Sequence, residues 1–222
     1  AIPATPRISP PKSSRLILSI ILRFSSSSLT VKDWINENRI GKPLIMKSNF
    51  SVPNIFPKER IYNKQYGGGS LLDLGIYPIT YAYRLFGIPD EIKATAHMKN
   101  EVDADCKVIF KYNSGLICEL TSSLHSLGTC STTIKGEEGV IKIPAPMHCS
   151  KKAYLKGKYN IKYRDSYPFG LYENEFTLVA DEIKQEKKES IYVPFKSTLD
   201  VMKIIEEIKK QIGLSYDESN SL

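Results

Sequence analysis

Residues 67–87 read GGGSLLDLGIYPITYAYRLFG, and the fold turns on how this stretch is read. Three glycines lead into an apolar run with helical spacing that carries one carboxylate, Asp73, and one phenol, Tyr77, four residues apart. Four residues is about one α-helical turn, so the spacing puts both side chains on one face near the helix start. Gly67, Gly68 and Gly69 let another backbone or a ligand approach that start closely. Pro78 lacks the donor that would reach the Leu74 carbonyl, which predicts a bend just past Tyr77. Two readings of the pair stand at this point. One is a site built from an acid and a phenol at a glycine-fronted helix start. The other is a buried helix whose Asp73 and Tyr77 only bond their neighbours.

Downstream of Gly87 the period changes from helix to strand. Ile92, Ala94, Ala96 and Met98 alternate with polar residues over 91–99, as do Cys106, Val108, Phe110 and Tyr112 over 105–112. Asn113-Ser114-Gly115 makes a turn, and Leu116, Cys118, Leu120 and Leu124 continue the apolar face. Further strands are expected over 129–135, 139–143 and 153–163, with Gly136 and Gly139 bracketing a hairpin turn. The second face carries Thr95, His97, Thr121, Ser123, Thr129, Ser131 and Thr133, with Ile109 and Ile117 among them. It reads as hydroxyl-rich and mostly uncharged, suited equally to solvent or to a second copy of the chain.

The remaining segments complete the organisation. Residues 1–14 hold four prolines and no apolar periodicity, 15–24 read as a covered strand, and 29–35 approximate helical spacing behind the cap hydroxyls of Ser25–Ser28. Residues 43–52 read as a strand. Phe176, Val179, Ala180 and Ile183 form a helical stripe within 171–187. Ser197 and Asp200 stand at capping-box spacing before Val201, Ile204, Ile205, Ile208 and Ile212, and Gly213 closes that helix. The expected architecture is α+β: an open, largely antiparallel sheet with helices, residues 70–86 first among them, covering one face. Its parts are a leader over 1–24, one domain over 25–216 and a polar tail over 217–222.

Several function classes fall away. Cys106, Cys118, Cys130 and Cys149 form no C-x-x-C pair, and His97, His125 and His148 share no helix face with a carboxylate or thiol. No metal site is therefore expected, and reduced thiols suit a cytoplasmic protein. The apolar stretch near the N-terminus, within 16–22, is far short of the roughly 18 to 20 residues that cross a bilayer. The net charge of +7 is carried by lysines scattered along strands and helices, which argues against a nucleic-acid partner. No G-x-G-x-x-G occurs, and the glycine run at 67–69 does not directly follow a strand, so no cofactor-binding residues are assigned.

Taken together, RIGKP at 39–43, GGGSLLDLGIYP at 67–78, the antiparallel sheet, YENEF at 172–176 and SYDES at 215–219 resemble the Gfo/Idh/MocA oxidoreductases, and within them the NADP-linked dihydrodiol and D-xylose dehydrogenase branch. Arg23-Phe24 also sits like that family's Arg-Phe-x-Pro helix, with Ser26 in place of the proline. The resemblance implies the C-terminal, substrate and dimerisation domain of such an enzyme, with residues 15–24 as a remnant of the nucleotide-binding domain. It implies NADP as cofactor, a trans-dihydrodiol or aldopentose as substrate, and a homodimer joined through the open sheet face. It makes Tyr77 the acid/base that exchanges a proton with the substrate hydroxyl, with Asp73 beside it. A phenol titrates near about 10, so a neighbouring cation must favour its ionised form. In the family that cation is the lysine of a Glu-Lys-Pro motif in the nucleotide-binding domain, and no Glu-Lys-Pro occurs here. The expectation is a chain short of its cofactor domain, either part of a dehydrogenase or a non-catalytic dimerisation module.

Overall fold

The computed structural model describes residues 26–53, 58–165, 180–190 and 193–216. Helix α1 spans Ser26–Asn36, strand β1 Pro43–Ser51, and the short helix α2 Lys58–Ile61. A 3-10 turn at Lys64–Tyr66 and a π-helical turn at Leu71–Gly75 lead into α3, Ile76–Phe86. There follow β2 Glu91–Lys99, β3 Val102–Lys111, β4 Ile117–Ser123, β5 Thr132–Gly136, β6 Gly139–Ile143, β7 Lys152–Gly157 and β8 Ile161–Arg164, then α4, Phe195–Ile212. The strand expected over 15–24, the YENEF stretch, most of the helix expected over 171–187 and the polar tail lie outside the described residues. Within that helix, residues 180–184 are helical.

The eight strands form one sheet in the order β2-β3-β4-β1-β5-β6-β7-β8. Every pairing is antiparallel except that of β1 with β4. A parallel pair needs a crossover connection, and α3 lies in the segment that provides it. The sheet therefore carries its helix from β1 across one face before the β2–β3–β4 meander begins.

Alternation decides the two faces. Met46, Val108, Phe110, Cys118, Leu120, Ile134, Ile141 and Leu155 are buried in one core with Val31 and Trp34 of α1, Ile76 and Ile79 of α3, and Val201, Ile204, Ile205 and Ile208 of α4. Each fully buried aliphatic or aromatic side chain contributes on the order of 1.5–3 kcal/mol relative to exposure. The expected cover over 70–86 is where the periodicity puts it.

Four details depart from expectation. The helix irregularity lies before Tyr77: the Ile76 N–H reaches the Leu71 carbonyl, an i→i+5 bond that widens the turn ahead of Pro78. Residues 153–163 split into β7 and β8, the chain turning after Gly157. Helix α4 begins at Phe195 with Pro194 before it, so Ser197 and Asp200 lie inside the helix. Asp200 instead accepts from the Tyr83 hydroxyl at 2.9 Å and the Lys196 ammonium at 2.6 Å, joining α4 to α3. Finally, the open face is not mostly uncharged. Thr95, Thr121, Thr133, Ile109 and Ile117 occupy it as expected, but lysines alternate with them on most strands.

Candidate active site

Tyr77 is the second residue of α3, and it is 8% exposed. Its ring meets Phe50, at the end of β1, edge-on with centroids 5.0 Å apart and planes at 70°. On another side lies His148, from the 3-10 turn Met147–Cys149 that follows β6, with centroids 5.0 Å apart. His148 in turn stacks on Phe50 at 4.8 Å and 18°. Three rings from three separate elements thus fix one another. Aromatic pairs at these separations are each worth about 0.5–1.5 kcal/mol beyond their burial.

Asp73 has a different neighbour. Its Oδ1 accepts from the Arg60 guanidinium of α2 at 2.7 Å, and its side chain is about one-quarter exposed. An α-helical turn would stack residues 73 and 77 on one face; the π-helical turn inserts about one residue and alters that register. The structure therefore keeps both candidates at one helix start but surrounds them differently. Tyr77 sits among rings, and Asp73 stands over α2.

The start of this turn is held by a residue that sequence reasoning missed. Asp103 on β3 is fully buried. Its Oδ2 accepts from the Ser70 hydroxyl at 2.8 Å and from the Leu71 N–H at 2.6 Å. Ser70 Oγ also lies 3.0 Å from Ser122 Oγ of β4. A carboxylate that takes the first free amides of a helical segment does the work of an N-cap from across the fold. Burial outweighs these bonds and pushes the Asp103 carboxyl up to about 6. Locally the sequence shows only one acid between Val102 and Ala104, inside β3, and nothing in it marks Ser70 as the partner.

Asp103 also explains the glycines. A Cβ on Gly69 would collide with the Asp103 carboxylate, and one on Gly68 with the Ile61 carbonyl. Tyr216 closes the same corner by donating its hydroxyl to the Gly68 carbonyl at 2.5 Å. The expected close approach at 67–69 is real, but it is made by this domain's own chain. The loop does not fit as a cradle for a pyrophosphate, since Gly68, Gly69 and Ser70 are buried against protein. Among the described residues no cofactor ligand set emerges.

The other two histidines stand away from Tyr77. His97 and His125 place their Nδ1 atoms 3.4 and 3.3 Å from Asp105 on the open face, beside a depression of about 430 Å³ lined by Asn49, Thr95 and Thr121. Among the described residues no group of three or more His, Cys, Asp or Glu side chains is placed to hold a metal, and no helix is long and apolar enough to cross a membrane. All four cysteines are free, and burial pushes the Cys106 and Cys118 thiols up to about 12.

Comparison with known proteins identifies the fold and the family. Residues 28–142 match the GFO/IDH/MocA C-terminal domain. The chain is 34% identical over 161 residues to the scyllo-inositol 2-dehydrogenase (NADP(+)) IolU of Bacillus subtilis, covering 70% of this chain and 48% of that protein. It is 26% identical over 217 residues to the trans-1,2-dihydrobenzene-1,2-diol dehydrogenase of Sus scrofa, covering 91% of this chain and 64% of that protein. In fold it is similar to KijD10, a 3-ketoreductase from Actinomadura kijaniata, with a TM-score of 0.75 at 16% identity over 87% of this chain and 61% of the other. The aldose-aldose oxidoreductase of Caulobacter crescentus gives 0.72 at 19% identity, over 86% and 59%. The chain thus spans about half to two thirds of the length of these relatives. A glycine-fronted helix laid on an eight-stranded mixed sheet, with the family match running from α1 through β6, leaves one assignment: this chain belongs to the Gfo/Idh/MocA oxidoreductase family and carries its C-terminal domain.

Proposed function

We propose that this domain supplies the substrate-facing acid/base of an NADP-dependent dehydrogenase that oxidises a secondary hydroxyl of a trans-dihydrodiol or an aldopentose. The observation that carries the reading is Tyr77, held by Phe50 and His148 at the head of α3. Tyr77 exchanges a proton with the substrate hydroxyl, and Asp73, with Arg60 at its back, orients a second hydroxyl of the same substrate. A vicinal diol or sugar suits a site with one proton-handling phenol and one acceptor carboxylate at the same helix start. NADP as the partner cofactor rests on the relatives, one named as an NADP(+) enzyme and one seen with NADP.

The reading is tested by assaying the protein with NADP against a trans-dihydrodiol, D-xylose and scyllo-inositol. Oxidation of the first or second supports it; selective oxidation of scyllo-inositol would move the substrate class to cyclitols. The alternative, a non-catalytic dimerisation module, is favoured by the open face of β2–β4, where Ile109 and Ile117 lie among Thr95 and Thr121. Titration with NADPH followed by cofactor fluorescence separates the two, because saturable binding removes the non-catalytic reading. The homodimer belongs to the β1–β4 part of the open face, where Ile109 and Ile117 lie among Thr95, Thr121 and lysines paired to Glu91 and Glu119. A monomer by light scattering would count against it.

A further inference from the structure

The segment that follows α4 returns to the candidate site. Helix α4 is closed by Gly213, and soon after it Tyr216 donates its hydroxyl to the Gly68 carbonyl at 2.5 Å, 148 positions back along the chain. Burial first, and the Asp103 charge second, push the Tyr216 phenol up, so the hydroxyl keeps its proton and stays a donor. The Lys209 ammonium of α4 lies 5.4 Å from the centroid of the same ring. Ring and hydroxyl are both engaged.

The loop that Tyr216 reaches is gripped from other sides as well. The Gly68 N–H donates to the Asn63 carbonyl at 3.0 Å and the Gly69 N–H to the Ile61 carbonyl at 2.8 Å. Asp103 takes the Ser70 hydroxyl and the Leu71 N–H. What this loop carries forward is Asp73, whose own N–H donates to the Gly69 carbonyl at 3.4 Å. Tyr77 has a separate support in the rings of Phe50 and His148. The two site residues therefore answer to different parts of the fold. Tyr77 follows the rings, and Asp73 follows the loop.

We propose that Tyr216 is a positioning residue for the candidate site: with Asp103 it clasps residues 68–71 and so holds the π-helical turn that carries Asp73. The inference rests on the reading of Asp73 and Tyr77 as the substrate-facing pair. Gly68 is buried, so losing the phenolic donor strands a carbonyl that the loop can satisfy only by moving toward water. That movement takes the Gly69 carbonyl, and with it the Asp73 amide, out of place. Single π-helical turns are uncommon and occur frequently at functional sites, and a turn fixed from both sides keeps its register.

The test compares Tyr216→Phe with Tyr83→Phe in the whole 222-residue chain. The second variant removes a hydroxyl of the same kind from Asp200 at the α3–α4 contact, away from the loop. Urea unfolding checks that each variant is folded. Amide hydrogen exchange is followed by mass spectrometry over 69–77, where the Gly69, Leu71, Asp73 and Ile76 N–H groups are bonded. Exchange there should quicken about threefold to tenfold in Tyr216→Phe and stay at the parent rate in Tyr83→Phe. With NADP and the preferred diol or sugar, KM should rise by a similar factor in Tyr216→Phe, while kcat stays within about twofold because the rings still hold Tyr77. Unchanged exchange over 69–77, an equal rise in both variants, or faster exchange with an unchanged KM would each overturn the proposal. Tyr77→Phe separates this outcome from the fate of the dehydrogenase reading. If that variant, or the absence of any turnover in the parent, removes the reading, exchange alone still decides whether Tyr216 holds the turn.

Discussion

The two faces of the sheet obey the same alternation and have opposite fates. On the covered face, Ile134, Ile141, Leu155 and Ile161 line up across four strands and pack under helices. One residue along each strand, the open face presents Lys135, Val140, Lys156 and Lys162 to solvent or to a partner. An apolar residue on a strand has essentially one destination, so its role is readable locally. A charged residue takes its meaning from cross-strand neighbours, which only the register supplies.

The largest effect should come from crossing that divide. Phe110→Ala on the covered face should cost about 3–5 kcal/mol by urea unfolding. Lys142→Ser on the open face should stay within about 0.5 kcal/mol. Comparable losses at the two positions would erase the distinction between the faces.

The next prediction concerns Asp103, an acid buried on the covered side. Asp103 is raised from 3.8 to about 6 in the folded chain, so its protonated form is the one the fold favours. The stabilisation is present below about pH 3.8 and is lost as pH rises through about 6, a swing of up to about 3 kcal/mol. Asp103→Asn removes this contribution. The stability difference between variant and parent should therefore move in the variant's favour from pH 4 to pH 7.5. A difference independent of pH would mean that Asp103 is not destabilised by its charge.

The smallest effect is expected at the exposed pair. Arg60→Ala should change stability by less than about 1 kcal/mol, since Arg60 is more than half exposed. Its effect should show instead as a raised KM for the diol, because the pair aims Asp73. An unchanged KM would remove Arg60 from the site.

Legibility followed the same division. The strands at 91–99, 105–112 and 139–143, the Gly115 turn, the covering helix and the closing glycine at 213 could all be read from period and turn chemistry. The π-helical turn could not, because it reflects how Leu71–Gly75 accommodates Pro78 while Gly75 lies against Ser122. Asp103 and His148 were invisible as site residues for a related reason. Their partners, Ser70 and Tyr77, lie 33 and 71 positions away in the chain, and only tertiary closure brings them together. The spacing of Ser197 and Asp200 misled as a capping box because Asp200 bonds across to Tyr83 on α3.

The central claim is that Tyr77 handles the proton of the reacting hydroxyl, and one measurement addresses it most directly. NADP-dependent oxidation of the preferred diol or sugar is compared for the parent and Tyr77→Phe across pH, with unfolding curves taken alongside. The account predicts that kcat/KM falls by about 10²–10⁴ while stability changes little, since the ring and its contacts with Phe50 and His148 remain. Activity within twofold of the parent would contradict it and return Tyr77 to the core as packing alone.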